Sequence, residues 1–357
     1  MKEIKVQRIQ TSSNIQDLTD IVEERVQLLL KEGANTPMDF KWMQPELPEF
    51  FDEKKFDLGQ RTYHHNLFSM MVAKLSGLVT VLAVPTILDV LIFTQQSSTV
   101  CTAFRRYVST VLHTWIWYKR KPGVEYEFLD SLKIVRKKHC MAFRRSAQAG
   151  CKRVSQLDMA VAQFGFIGFT LLSGDFLGVN ATSEELDALV HLWHVVGNML
   201  GMEEKYNICN GTLEETKILC GRLLEEVILP LLANKSKDFD VMSRQLIEGL
   251  WAVNPQLDTD AFVGFTLHLA SQAAPNNNHS IKIDTAKMSS YSRFLFDFQL
   301  FVHQRLLRQD NWWSNIFRIY FNAQMRLSLF LTEYFPFLAY YMFGRKKSHV
   351  NIFALRH

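Results

Sequence analysis

Cysteine is sparse and unpatterned in this chain: five residues, Cys101, Cys140, Cys151, Cys209 and Cys220, odd in number and without CxxC spacing. That argues against a disulfide framework and a cysteine-based zinc site, and for a reducing compartment. No GxGxxG follows a strand-like run, and GxxxxGK[ST], HExxH and GxSxG do not occur. The dinucleotide, P-loop, zinc-protease and serine-hydrolase readings therefore lack their residues. The first twenty residues, MKEIKVQRIQTSSNIQDLTD, have no apolar core, so a cleaved export signal is not expected. Without export, the Asn-x-Ser/Thr triplets at Asn180, Asn210, Asn234 and Asn278 read as chance. A long apolar run is missing too. Lys74 and Asp89 bracket 14 uncharged residues broken by Pro85, whereas a span needs about 20. Two buried core helices are expected there instead. The formal charge of +4 is small for 357 residues, and no nucleic-acid partner is expected.

Glycine and proline are few (16 and 9), phenylalanine is abundant (27), and 48% of the residues are hydrophobic. Long segments of helical periodicity with little strand-like alternation predict an all-α fold. A polar helix over 14–33 reads as a surface element closed by Gly33. Another, over 98–118, stops before KRKPG. Ser155 with Asp158, and Thr182 with Glu185, have the spacing of capping boxes and open two further helices. The second presents Leu186, Leu189, Val190, Trp193, Val196 and Leu200 to a core and is closed by Gly201. Helices are also expected at 212–232, 237–253, 258–270 and 287–308.

Two polar stripes stand out. On 132–153, the residues Leu132, Val135, His139, Phe143 and Ser146 share one helical face, so the His139 imidazole points where the core should be. It is either a core histidine bonded to a carbonyl or a metal ligand whose second nitrogen is held by an acceptor. From Ser131 to Arg153 there are eight Lys or Arg and no acid. Such a face is solvated by default, or meets an anion: nucleic acid, lipid or the carboxylates of a cofactor. On 98–118, Arg106, Thr110, His113 and Trp117 recur at i, i+4, i+7 and i+11. This stripe either faces solvent or forms the wall of a ligand site, because buried polar groups need partners. The adjacent His64 and His65 diverge by about 100° on a helix and read as structural.

At the C-terminus, MRLSLFLTEYFPFLAYYMFGRKK is apolar and aromatic, interrupted by Glu333 and Pro336 and followed by Arg345, Lys346 and Lys347. The pattern suits a helix lying on a membrane surface through residues 325–347, or one docked over the core.

Six pieces in order carry a resemblance: PEFFDEKKFDLGQ (48–60), LSGLVTVLAVPTILDVL (75–91), Arg106 with Thr110, VRKKH ending at His139, SQLDM (155–159) and HLWHVVGNMLGM (191–202). Together they resemble the catalytic domain shared by latex-clearing proteins (rubber oxygenases) and the ER-bound oxygenase of fungal mycophenolic acid biosynthesis. The resemblance implies a globin-like helical core holding haem b, with His139 as proximal iron ligand and Arg136 beside the propionates. It implies Arg106 and Thr110 on the distal side, acting on O₂, with His113 as a further distal group. Where the rubber oxygenases carry a lysine before that threonine, this chain has Ser109, so rubber cleavage itself does not transfer; Asp89 is the nearest carboxylate for a base. The leading expectation is a haem-dependent oxygenase of a lipophilic, isoprenoid or lipid, substrate. The alternatives are a haem-binding sensor or electron-transfer protein, and a haem-less membrane-associated interaction protein of the same fold. The expected organisation is an N-terminal extension (1–44), an oxygenase-like domain (45–310) and an aromatic C-terminal segment (311–357). The expected location is intracellular, cytoplasmic or at the ER membrane.

Overall fold

Local signals set most helix boundaries. The computed structural model describes residues 18–38, 45–274, 281 and 283–353. Residues 1–17, the boundary at residue 44 and the triplet at Asn278 lie outside them. The described residues are helical and form no β-strand beyond one isolated bridge between Pro37 and Ser155. Helix α1 (18–27) continues into a π turn, Leu28–Gly33. It is followed by α2 (Glu53–His65), α3 (Leu67–Val81), α4 (Pro85–Thr94), α5 (Val100–Lys119) and α6 (Tyr126–Gln148). Then come α7 (Gln156–Leu172), the short α8 (Gly174–Leu177), α9 (Ser183–Met199) and α10 (Leu213–Leu223). The chain ends with α11 (Leu229–Ala233), α12 (Lys237–Leu250), α13 (Thr259–Gln272), α14 (Ser290–Phe301), α15 (Ser314–Tyr334), α16 (Phe337–Phe343) and α17 (Arg345–Ser348).

Both capping boxes form: Ser155 with Asp158 opens α7, and Thr182 with Glu185 opens α9. Thr99 with Thr102 and Thr212 with Glu215 do the same for α5 and α10. Each satisfies amide donors that a helix start leaves unpaired. The helix expected over 212–232 is interrupted by a π turn, Leu224–Ile228. Pro230, near the start of α11, has no amide proton to bond one turn back, and the backbone relaxes around it. The chain turns by 90° between α3 and α4, where Pro85 starts a new helix. Among the described residues no single helix is long and apolar enough to cross a membrane; the bent pair α3 and α4 taken together is, by length and composition alone.

Three close crossings build the core: α3 on α7, α2 on α9, and α5 on α12. Each pivots on a glycine. A Cβ at Gly77 would lie 1.9 Å from the Gly165 carbonyl oxygen, one at Gly59 2.6 Å from that of Ala188, and one at Gly249 2.8 Å from the Phe104 nitrogen. Backbones this close leave no room for a side chain. Trp193 is buried, as its stripe predicts, and its Nε1 donates to Tyr118 Oη at 2.8 Å. The N-terminal helix is less peripheral than its polarity suggests. Val22, Val26 and Leu29 are buried in the core, and Arg25 Nη2 donates to the Asn207 carbonyl at 3.0 Å. At the other end α15 stops before Pro336, which disfavours helical geometry in the residue preceding it.

Candidate functional site

The polar stripe of α5 faces α6. His113 and Trp117 are buried and Arg106 and Thr110 half-buried. Ser131, one turn into α6, joins the two helices. Trp117 Nε1 donates to Ser131 Oγ at 2.9 Å, and the same oxygen meets His113 Nδ1 at 2.8 Å. Ser131 is fully enclosed, and its own proton needs an acceptor. His113 Nδ1 is that acceptor, which leaves the proton of the neutral ring on Nε2. His113 Nε2 is buried and makes no hydrogen bond among the described residues, so it presents an unspent N–H donor.

Further along α6, His139 stacks on Phe143 with ring centroids 5.5 Å apart. Its Nδ1 is enclosed and also without a partner. The carbonyl expected to hold a second ring nitrogen is thus not found. The charges bearing on this ring are Arg106 and Lys138, and those on His113 are Lys138 and His139. Arg106, His113, the exposed Lys138 and His139 therefore bear on one another from α5 and α6; no carboxylate is among the groups acting on any of them, and the Tyr107 phenol acts on Arg106. Desolvation, with the neighbouring cations adding to it, pulls His139 down to about 4 and His113 to about 3. Both rings are neutral at pH 7. Desolvation lowers Arg106 and Lys138 as well.

The remaining sequence candidates are placed as follows. Thr110 Oγ1 donates to the Arg106 carbonyl at 3.3 Å, a bond within α5 that a rotamer change frees. Arg136 is not brought into the cluster: its Nη1 donates to the Met199 carbonyl at 3.2 Å, at the C-terminal end of α9. Lys138 is the basic neighbour instead. Asp89 is exposed on α4. His64 lies 3.0 Å from the Tyr118 carbonyl through Nε2, and His65 is exposed.

What the arrangement lacks describes its ligand. A desolvated Arg106, a partly desolvated Lys138 and an N–H donor with no carboxylate beside them suit an anion, and a neutral imidazole with an unpartnered nitrogen can bind a metal. No group of three or more His, Cys, Asp or Glu is placed to hold a metal ion among the described residues. A haem needs only one or two protein ligands for its iron, and it brings two carboxylates of its own. On the orphaned nitrogens and the uncompensated charge, these residues fit a haem.

No family model and no curated protein sequence matches the chain. Among solved structures, its fold is similar to that of latex clearing protein in the closed state, with 13% identity over 88% of each chain and a TM-score of 0.47.

Sequence reasoning missed two contributors. Ser131 sits in an unremarkable turn of α6, and Lys138 is one of eight basic residues in its stretch. Away from this site, Lys74 left a clearer sign, as the only charged residue in the apolar helix LFSMMVAKLSGLVTV.

Proposed function

We propose that the chain is a haem-dependent oxygenase of a lipophilic substrate, with haem b held between α5 and α6. The observation that carries this reading is that Arg106, His113, Lys138 and His139 bear on one another without a carboxylate, two of them with orphaned buried ring nitrogens. The motif order from residue 48 to 202 supports the same assignment. His139 supplies the iron ligand, and Lys138 and Arg106 balance anionic charge. Bound haem would supply the redox chemistry by which dioxygen is activated. Arg106 and Thr110, one turn apart, set a cation and a hydroxyl where negative charge develops. His113 adds the Nε2–H donor, oriented by Ser131, and being neutral at pH 7 it does not release a proton into the site. Phe143, stacked on His139, gives the ring an apolar neighbour.

We propose further that it works at an intracellular membrane surface, the ER included. Leu327, Phe330, Phe337 and Tyr341 (86% exposed) stand out from α15 and α16, and Arg345, Lys346 and Lys347, which follow α16, are exposed as well. Aromatic and basic side chains together suit the headgroup region.

The test is haem titration of the purified protein with and without His139→Ala, read by the Soret band and by circular dichroism. The variant is expected to lose most haem with its helix content unchanged. Haem retained at wild-type stoichiometry with an unaltered spectrum would overturn the ligand assignment. Absence of oxygenated product from isoprenoid or unsaturated lipid by haem-replete protein would leave the sensor or electron-transfer reading.

A further inference from the structure

Lys74 is 3% exposed, midway along an otherwise apolar helix. Its Nζ donates to Thr114 Oγ1 at 3.0 Å. That hydroxyl in turn spends its proton on the carbonyls of Thr110 and Val111. An ammonium has three N–H donors, so two are left, and among the described residues no acid forms an ion pair with it. Burying a cation this way is costly and is sustained where something compensates it. Desolvation alone pulls the amine down to about 7.

Lys74 also lines a cavity of about 110 Å³. Its other walls are largely apolar, with Phe68, Leu75, Val111, Leu250, Phe262 and Phe321 among them. The cavity is distinct from the histidine site. It opens against the Tyr107 and Val111 face of α5, about 100° round the helix from the stripe of Arg106 and Thr110. Phe298, 37% exposed, belongs both to its lining and to the outer surface of α14. An apolar chamber with one amine in its wall is the complement of a molecule with an apolar tail and one anionic end.

We propose that this cavity binds the carboxylate end of a lipophilic carboxylic acid, the carboxylate on Lys74 and the chain leaving over the apolar walls between α3, α5, α14 and α15, past Phe298. The carboxylate supplies the counter-charge that the fold omits and accepts the two spare N–H donors, and the tail covers wall that water would otherwise face. Nothing in this depends on haem.

Laurate, methyl laurate and dodecanol, each titrated into the full chain below the concentration at which laurate forms micelles, test the proposal. Calorimetry, or displacement of a fluorescent polyene acid, gives the affinities. Wild type is expected to bind laurate roughly tenfold to a hundredfold more tightly than the ester or alcohol, the range of a charge-assisted hydrogen bond. Lys74→Met keeps the length of the side chain, removes a buried charge and is expected to fold; a melting curve checks this. In it laurate should weaken by the same factor while the ester is unchanged. Acid and ester bound alike by wild type, laurate affinity unaltered in Lys74→Met, or no binding of laurate at all would each overturn the proposal. Adduct formation by dodecanal, trapped with borohydride, in a protein indifferent to laurate would overturn it in favour of an imine-forming site.

Discussion

Replacing His113 by asparagine in the haem-free protein should make the fold less sensitive to acid. His113 is 2% exposed, and burial beside Lys138 and His139 holds its ring down at about 3. In the unfolded chain the same ring titrates near ~6.5. Above that value both states are neutral and nothing is lost. As the pH falls from ~6.5 toward the folded value, the unfolded chain takes up a proton that the folded protein refuses, so stability drops. At pH 5 the difference amounts to about 2 kcal/mol for one such ring. His139 and His303, each held at about 4 by burial, titrate in the same direction. Three such groups approach about 6 kcal/mol, a large share of the ~5–15 kcal/mol that holds a domain together. Asparagine places a polar atom close to the position of Nδ1 and keeps a partner for Ser131, but does not titrate. Urea unfolding followed by circular dichroism at pH 7, 6 and 5 gives both curves. Carboxylates common to both proteins cancel in the comparison. The expected result is a loss between pH 7 and pH 5 that is smaller by about 2 kcal/mol in His113→Asn, whatever the variant's stability at pH 7. Equal losses in the two proteins would show that His113 is not held neutral by its surroundings.

Arg106→Met should leave the haem-free protein as stable as wild type or more so, because no acid pairs with Arg106, while haem affinity falls roughly tenfold. A stability loss of about 3–5 kcal/mol would instead reveal a buried ion pair, and the catalytic reading of Arg106 would fail with it. Gly77→Ala should cost about 3 kcal/mol or more in urea, since the new Cβ meets the Gly165 carbonyl oxygen at 1.9 Å and two backbones must part. A cost under about 1 kcal/mol would mean that the α3 and α7 crossing yields freely.

The chain's local order is enough to fix much of the molecule. Ser155 with Asp158 and Thr182 with Glu185 start their helices because cap and amide lie within one turn of each other. Pro85 and Pro336 stop or turn a helix because a missing N–H acts wherever it stands. The apolar stripe of α9 buries Trp193 because periodicity alone chooses its face. The candidate site was legible only in part. His113 and His139 could be picked out by spacing, but not their lack of acids, which depends on which helices meet. Arg136 and Lys138 are two residues apart in a run of bases, and only the packing of α6 sends the first to the Met199 carbonyl while the second stays exposed. Lys74 and Thr114 are 40 residues apart, and Ser131 reaches His113 across 18. Hydrogen bonds and charges act over a few ångströms between groups that the sequence holds far apart, so partners, cavities and missing counter-charges exist only once the helices have packed.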